Sequence, residues 1–176
     1  SERSRRLRRL RTGLPCGVYK AISADADFQH GGSPHGVIFD ELHVQPNRAL
    51  WDVLQTGKIK RRQPLTVAIT TAGWDRESIC YEQRRSAEQV ASGDVVDQSF
   101  MPVVYAADEK DDWTSPETWR KANPNFGVSV FEEDIAAEVE KAKQQPGYEN
   151  TVKCLHLDLW TEQDKRWIVM EKWREC

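Results

Sequence analysis

The stretch Gly36–His43, GVIFDELH, sets three apolar residues, Val37, Ile38 and Phe39, directly before two adjacent carboxylates, Asp40 and Glu41. A short apolar run of this kind reads as a strand buried on both faces. Buried carboxylates are costly unless something pairs with them. A strand that ends in two of them is expected to stop at a cleft rather than inside a core. In open parallel sheets ligands sit beyond the carboxyl ends of the strands, which is where Asp40 and Glu41 fall.

Working outward, apolar strands and amphipathic helices alternate. GVYKAIS, residues 17–23, reads as a strand, and ADADFQHGGSPH, residues 24–35, as a loop. Pro46 is expected to open a helix through Leu50, Trp51, Val53 and Leu54 that closes at Gly57. PLTVAITTAG, residues 64–73, is a second apolar strand, ending in Thr70, Thr71, Ala72 and Gly73. Asp75 can cap a helix that runs to about Ser92 and stops at Gly93. FMPVVYAA, residues 100–107, reads as a further strand. This order implies an α/β fold, a partial parallel sheet of the P-loop NTPase type with helices on both faces.

After Ala107 the character changes. DEKDDW is an acidic loop, Ser115-Pro116 starts a short helix, and NPNFG is a turn. A polar helix is expected from about Phe131 to Gln145, stopped by Pro146-Gly147, with one more helix containing Leu155, Leu157 and Trp160. A boundary near residue 108 divides an α/β part, 1–107, from a small, mainly helical part, 108–176.

Composition bounds the function. The chain has 176 residues, 30% charged and 39% hydrophobic, which suits one globular domain. No apolar run approaches the roughly 20 residues of a membrane helix, and no secretory signal pattern is visible. The net charge is −3 but uneven: residues 1–20 hold six Arg and one Lys against one Glu, and residues 106–143 hold ten acids against five bases. The start, SRRLRRLR, reads as a short amphipathic helix that either faces nucleic acid or is simply solvated. The four cysteines, Cys16, Cys80, Cys154 and Cys176, form no CxxC, which points to reduced thiols in an intracellular protein rather than a disulfide or zinc framework. Asp25, Asp27, His30 and His35 match no metal spacing and read as a solvated loop. The chain opens inside a helical pattern and stops at MEKWREC, so a piece of a longer protein is expected.

An apolar strand ending in Asp-Glu is the Walker B pattern. The Asp suits Mg²⁺, a hard cation that keeps much of its hydration, and the Glu suits activation of the attacking water. A strand ending in TTAG some thirty residues later adds a segment of the type that senses the γ-phosphate. No GxxxxGK[ST] loop occurs in the sequence. His43, just past the strand, has a nucleotide-contacting, strand-coupling, capping or packing role open to it.

The blocks YKAISADADFQHGGSPHGVIFDELHVQPNRALWDVLQTG and QPLTVAITTAGWDRESICYEQ, followed by YAADEKDDWTSPETWRKANPNFG and the final Trp167, Ile168 and Met170 to Trp173, resemble the large terminase subunit of tailed bacteriophages. The resemblance runs from about Tyr19 over nearly the whole chain. It implies a viral DNA-packaging motor, with Mg²⁺-dependent ATP hydrolysis coupled to DNA translocation into a procapsid. Carried over, Asp40 is the Mg²⁺-associated acid, Glu41 the catalytic carboxylate, and Thr70, Thr71, Ala72 and Gly73 the nucleotide-coupled motif. Residues 108–176 become a lid or linker leading to a nuclease domain. The implied partners are ATP, Mg²⁺, double-stranded viral DNA, a small terminase subunit and the portal of the procapsid, with a homo-oligomeric ring at the portal, in the host cytoplasm and away from any membrane. The phosphate-binding loop is then expected upstream of Ser1. Two other readings stay open: a DExH-type helicase or translocase, whose motifs DELH and TTAG also resemble, and a non-catalytic prophage remnant.

Overall fold

The computed structural model describes residues 8–10, 17–22 and 31–162. Four strands and five α-helices follow in the order β1 (Arg8–Leu10), β2 (Gly17–Tyr19), β3 (Gly36–Asp40), α1 (Ala49–Gly57), β4 (Leu65–Ile69), α2 (Ile79–Ser92), α3 (Pro116–Ala122), α4 (Glu132–Gln144) and α5 (Pro146–Leu157). This is a mixed α/β fold whose central pair, β3 and β4, is parallel, with α1 as the crossover. Its contacts divide it into two units: Ser1–Val37 with Pro46–Leu65, and Ile38–Gln45 with Thr66–Cys176.

In the first unit, β1 and β2 pair antiparallel, Arg8 opposite Tyr19 and Leu10 opposite Gly17. This corrects the expected basic helix at its Arg8–Leu10 part; the rest of SRRLRRLR lies outside the described residues. Two leucines three apart fit one helical turn, but a three-residue ladder to a nearby β-former overrides so short a period. Helix α1 begins at Ala49, later than the Pro46 start expected, because the Asn47 carboxamide accepts the Ala49 N–H at 2.9 Å and fixes the first turn there. It buries Leu50 and Leu54. At Gly57 an added Cβ would stand 2.7 Å from the Gly32 carbonyl oxygen, so a side chain there has no room.

In the second unit, α2 has Ser78 as its N-cap, accepting the Tyr81 N–H at 3.3 Å, and Gly93 at φ 85° as its C-cap. Asp75, expected as the cap, instead makes the preceding turn by accepting the Glu77 N–H at 2.9 Å. Ser115 caps α3, with Pro116 in its first turn. Pro146 does not end the helical region. It opens α5 directly after α4, where its missing N–H costs nothing. Trp160, expected within that last helix, lies beyond it, because Asp158 takes up a left-handed conformation at φ 51° and ends α5.

Helices α3, α4 and α5 enclose one apolar cluster built from Ala107, Trp119, Ala122, Ile135, Val139, Ala142, Val152 and Leu157. Its polar atoms are satisfied: the Trp119 indole donates to the Trp113 carbonyl at 2.9 Å, and the Asn123 carboxamide donates to the carbonyls of Trp119 and His156.

Two expectations about the sheet fail. β3 is not buried on both faces: Val37 and Phe39 are buried, whereas Ile38 is 60% exposed. The alternation is the period of a strand covered on one face, which an unbroken apolar run hides. Residues 100–106 form no ladder; they run extended, with Met101 and Val103 largely exposed. Pro102 cannot donate to a ladder, and apolar composition alone does not supply a pairing edge.

Candidate functional site: the ends of β3 and β4

The expected site residues fall at the carboxyl ends of the two parallel strands. Asp40 closes β3 and Glu41 follows it in a left-handed conformation, φ 52° and ψ 58°. That conformation is uncommon for a non-glycine residue, and it turns the chain sharply out of the strand. The one-turn 3₁₀ helix Leu42–Val44 follows, with Leu42 buried where this turn packs on α2. A buried leucine thus anchors the turn that holds the two carboxylates at the rim.

Glu41 and Thr70 are brought together through His43. The His43 Nδ1 lies 3.2 Å from Glu41 Oε2 and 3.0 Å from the Thr70 hydroxyl, while the His43 backbone N–H donates to that same hydroxyl at 3.0 Å. The Thr70 hydroxyl donates its own proton to the Thr71 carbonyl at 2.9 Å. A threonine hydroxyl carries one proton, so in this arrangement Nδ1 is the donor toward Thr70. The same Nδ1–H faces the Glu41 carboxylate, and the Thr71 hydroxyl stands 3.5 Å from it. Of the roles open to His43, the structure shows coupling to the next strand. The Cys80 thiol on α2 also reaches the Thr70 hydroxyl, at 3.6 Å, and burial pushes that thiol's pKa up.

Ala72 and Gly73 turn away from this chain of polar groups. The Ala72 N–H donates to Asp158 Oδ1 at 3.0 Å, and the Gly73 carbonyl accepts from the Thr161 N–H at 3.3 Å and from the Cys154 thiol at 3.6 Å. The Trp160 ring lies against Gly73, where an added Cβ would stand 3.3 Å from it and 3.5 Å from the His43 Cβ. Burial raises the Asp158 pKa above the usual carboxylate range, with the Ala72 N–H and Arg84 acting in the opposite direction. Nothing in the sequence singles out Asp158. Its contact spans 86 residues, and no local pattern announces it.

Asp40 is exposed, and no hydrogen bond or ion pair engages it among the described residues. An open carboxylate at a strand end fits Mg²⁺, which is held by one or two carboxylates together with water and phosphate oxygens. Among the described residues no cluster of three or more His, Cys, Asp or Glu could hold a metal by itself. Asp25, Asp27 and His30 lie outside them. No helix among them is long and apolar enough to cross a membrane.

Comparison with known proteins follows the same lines. A family model of the terminase large subunit ATPase domain matches residues 3–89, and one of the terminase large subunit endonuclease domain matches residues 94–176. The chain is 38% identical over 146 residues to protein YmfN of Escherichia coli K12, covering 83% of this chain and 32% of that protein. It is 32% identical over 170 residues to the terminase large subunit of Enterobacteria phage HK97, covering 93% of this chain and 32% of that one. The crystal structure of the HK97 large terminase superposes with a TM-score of 0.72 at 28% identity, over 88% of this chain and 33% of the other. The sequence therefore spans about a third of the length of these relatives. Both domain models name one protein, and between them they account for nearly every residue: the chain belongs to the terminase large subunit family.

Proposed function

We propose that this chain supplies the catalytic strand ends of the ATPase in a viral DNA-packaging motor. The observation that carries the reading is the Glu41–His43–Thr70 connection, which joins the ends of two parallel strands through one imidazole. Glu41 is the general base that orients and deprotonates the attacking water. His43 holds one oxygen of its carboxylate, which fixes the other oxygen's direction. A positioned general base contributes about 10²–10⁴ in rate. Asp40 is the residue that would hold Mg²⁺, which would supply positive charge to neutralise the phosphates. Thr70 and Thr71 sense the γ-phosphate with their hydroxyls, and Ala72 and Gly73 carry the change onward through the backbone.

The wider reading follows from the family. The motor acts on double-stranded viral DNA, pairs with a small terminase subunit and works as a homo-oligomeric ring at the portal of a procapsid in the host cytoplasm. Residues 1–107 belong to the ATPase part, and residues 108–176 form the lid or linker on the way to the nuclease. The ATPase model's match ends at residue 89 and the endonuclease model's match runs from 94 to 176, ahead of the boundary proposed here.

The test is Glu41→Gln in the full-length protein. Hydrolysis of ATP is expected to fall by at least about a hundredfold while nucleotide affinity stays within about twofold. Wild-type turnover in that variant would remove Glu41 from the chemistry and the reading with it.

A further inference from the structure

Three contacts fasten the Ala72–Gly73 backbone to α5 and the segment that follows it, and they engage both an N–H and a carbonyl of that backbone. The Ala72 N–H is held by Asp158 at 3.0 Å, the Gly73 carbonyl by the Thr161 N–H at 3.3 Å and the Cys154 thiol at 3.6 Å. The open side of Gly73 is filled by the Trp160 ring, which also meets Tyr81 of α2 edge to face with centroids 4.8 Å apart. A shift of residues 72 and 73 by more than the slack of a hydrogen bond must carry Cys154 and residues 158–161 with it or break these contacts. Asp158 is also the left-handed cap of α5, so displacement of its carboxylate acts directly on the end of that helix. Val152 and Leu157 of α5 lie wholly buried in the cluster with α4, which makes the three helices a single load.

We propose that Asp158 is a positioning residue for the ATPase reaction: its carboxylate ties the end of β4 to α5, so that Thr70 and Thr71 are held in register with Glu41, and movement at the nucleotide is handed to the α3–α5 cluster. This rests on the reading of Thr70–Gly73 as the nucleotide-coupled segment. Asp158 touches no reacting atom; it acts through the Ala72 amide. An acceptor at that position is what the geometry requires. Asn keeps one, Ala loses it, and Glu moves it by a methylene.

The experiment compares wild type with Asp158→Ala and Asp158→Asn in the full-length protein. It reads ATPase kcat, nucleotide affinity and hydrogen exchange at the Ala72 amide. Asp158→Ala is expected to lose about tenfold to a hundredfold in kcat, the range of one hydrogen bond to a charged group, with affinity held within about twofold and faster exchange at Ala72. Asp158→Asn is expected to keep most of the turnover and the protection. Faster exchange at Ala72 with unchanged kcat in Asp158→Ala would overturn the proposal, and so would equal losses in the Ala and Asn variants. If the Ala variant fails to fold, Asp158→Glu carries the same test: full kcat there would overturn it. A wild-type protein without hydrolysis would instead overturn the ATPase reading, a result distinct from active enzyme indifferent to residue 158.

Discussion

Ile135, Val139 and Val152 of the helical cluster are all but removed from solvent, whereas Asp40, Glu41 and Thr70 at the strand ends stand exposed, the last two joined through His43. Both regions belong to the same structural unit. The helical cluster has satisfied indole and amide groups and a closed apolar interior, the pattern of a region selected for packing. The strand ends carry a left-handed glutamate and one imidazole shared between a carboxylate and a hydroxyl. The left-handed Glu41 and the exposed polar groups beside it are the features on which the proposed site rests. The comparison teaches that the two regions should fail differently: one in stability, the other in rate.

Glu41→Gln, the largest effect expected, should leave the unfolding midpoint where it is, since an exposed side chain with one neutral replacement changes stability little. A large loss of stability in that variant would break the comparison. The Asp158 variants sharpen it, because this side chain bonds the backbone just after β4 to the end of α5: rate should suffer more than fold.

Ile135→Ala, in the middle of α4, should do the opposite. Removing a side chain that is 2% exposed is expected to cost about 2–5 kcal/mol by denaturant unfolding, with turnover per folded molecule unchanged. A smaller loss is expected from Ser115→Ala. Its hydroxyl accepts the Glu117 N–H at 3.3 Å at the start of α3, and losing such a cap costs about 0.5–2 kcal/mol, read as a lower unfolding midpoint.

The smallest effect is electrostatic. Lys121 bonds both Asp108 and Asp111, and it is the first cause holding the Asp111 carboxyl below its usual pKa; the Asp108 N–H adds to it. A depressed carboxylate pKa contributes stability above the unfolded value, near 3.8, and that contribution is lost as pH falls through the folded value. Lys121→Met should therefore lower stability slightly above about pH 4 and flatten the acid side of the stability–pH curve by the same small amount, small because the pair is exposed. An unchanged acid limb would show that Lys121 does not set it.

Legibility in the sequence followed the range of the forces. Local signals held: the apolar run of β3, the Gly93 stop of α2 and the Ser115-Pro116 start of α3 each depend on residues within one turn. Signals that depend on a distant partner did not. Residues 100–107 have strand composition but no strand beside them, and Arg8–Leu10 became a strand only because Gly17–Tyr19 pairs with it. Pro146 both stops α4, as its sequence position predicts, and opens α5, since proline serves a first helical turn as well as it ends a previous one. At the site, the adjacency of Asp40 and Glu41 and the small residues after β4 could be read directly. The link through His43 needed the fold, and Asp158 gave no signal at all, because a single aspartate after a helix is commonplace until an amide 86 residues away is found against it.

The most direct test of the account is amide hydrogen exchange on the full-length protein with and without Mg²⁺ and a non-hydrolysable ATP analogue. Within the residues of this sequence, slower exchange at 40–43 and 70–73, with α4 and the body of α5 unchanged, is the predicted result. Protection elsewhere with none at these two strand ends would contradict it, and would take the nucleotide away from Asp40 and Glu41.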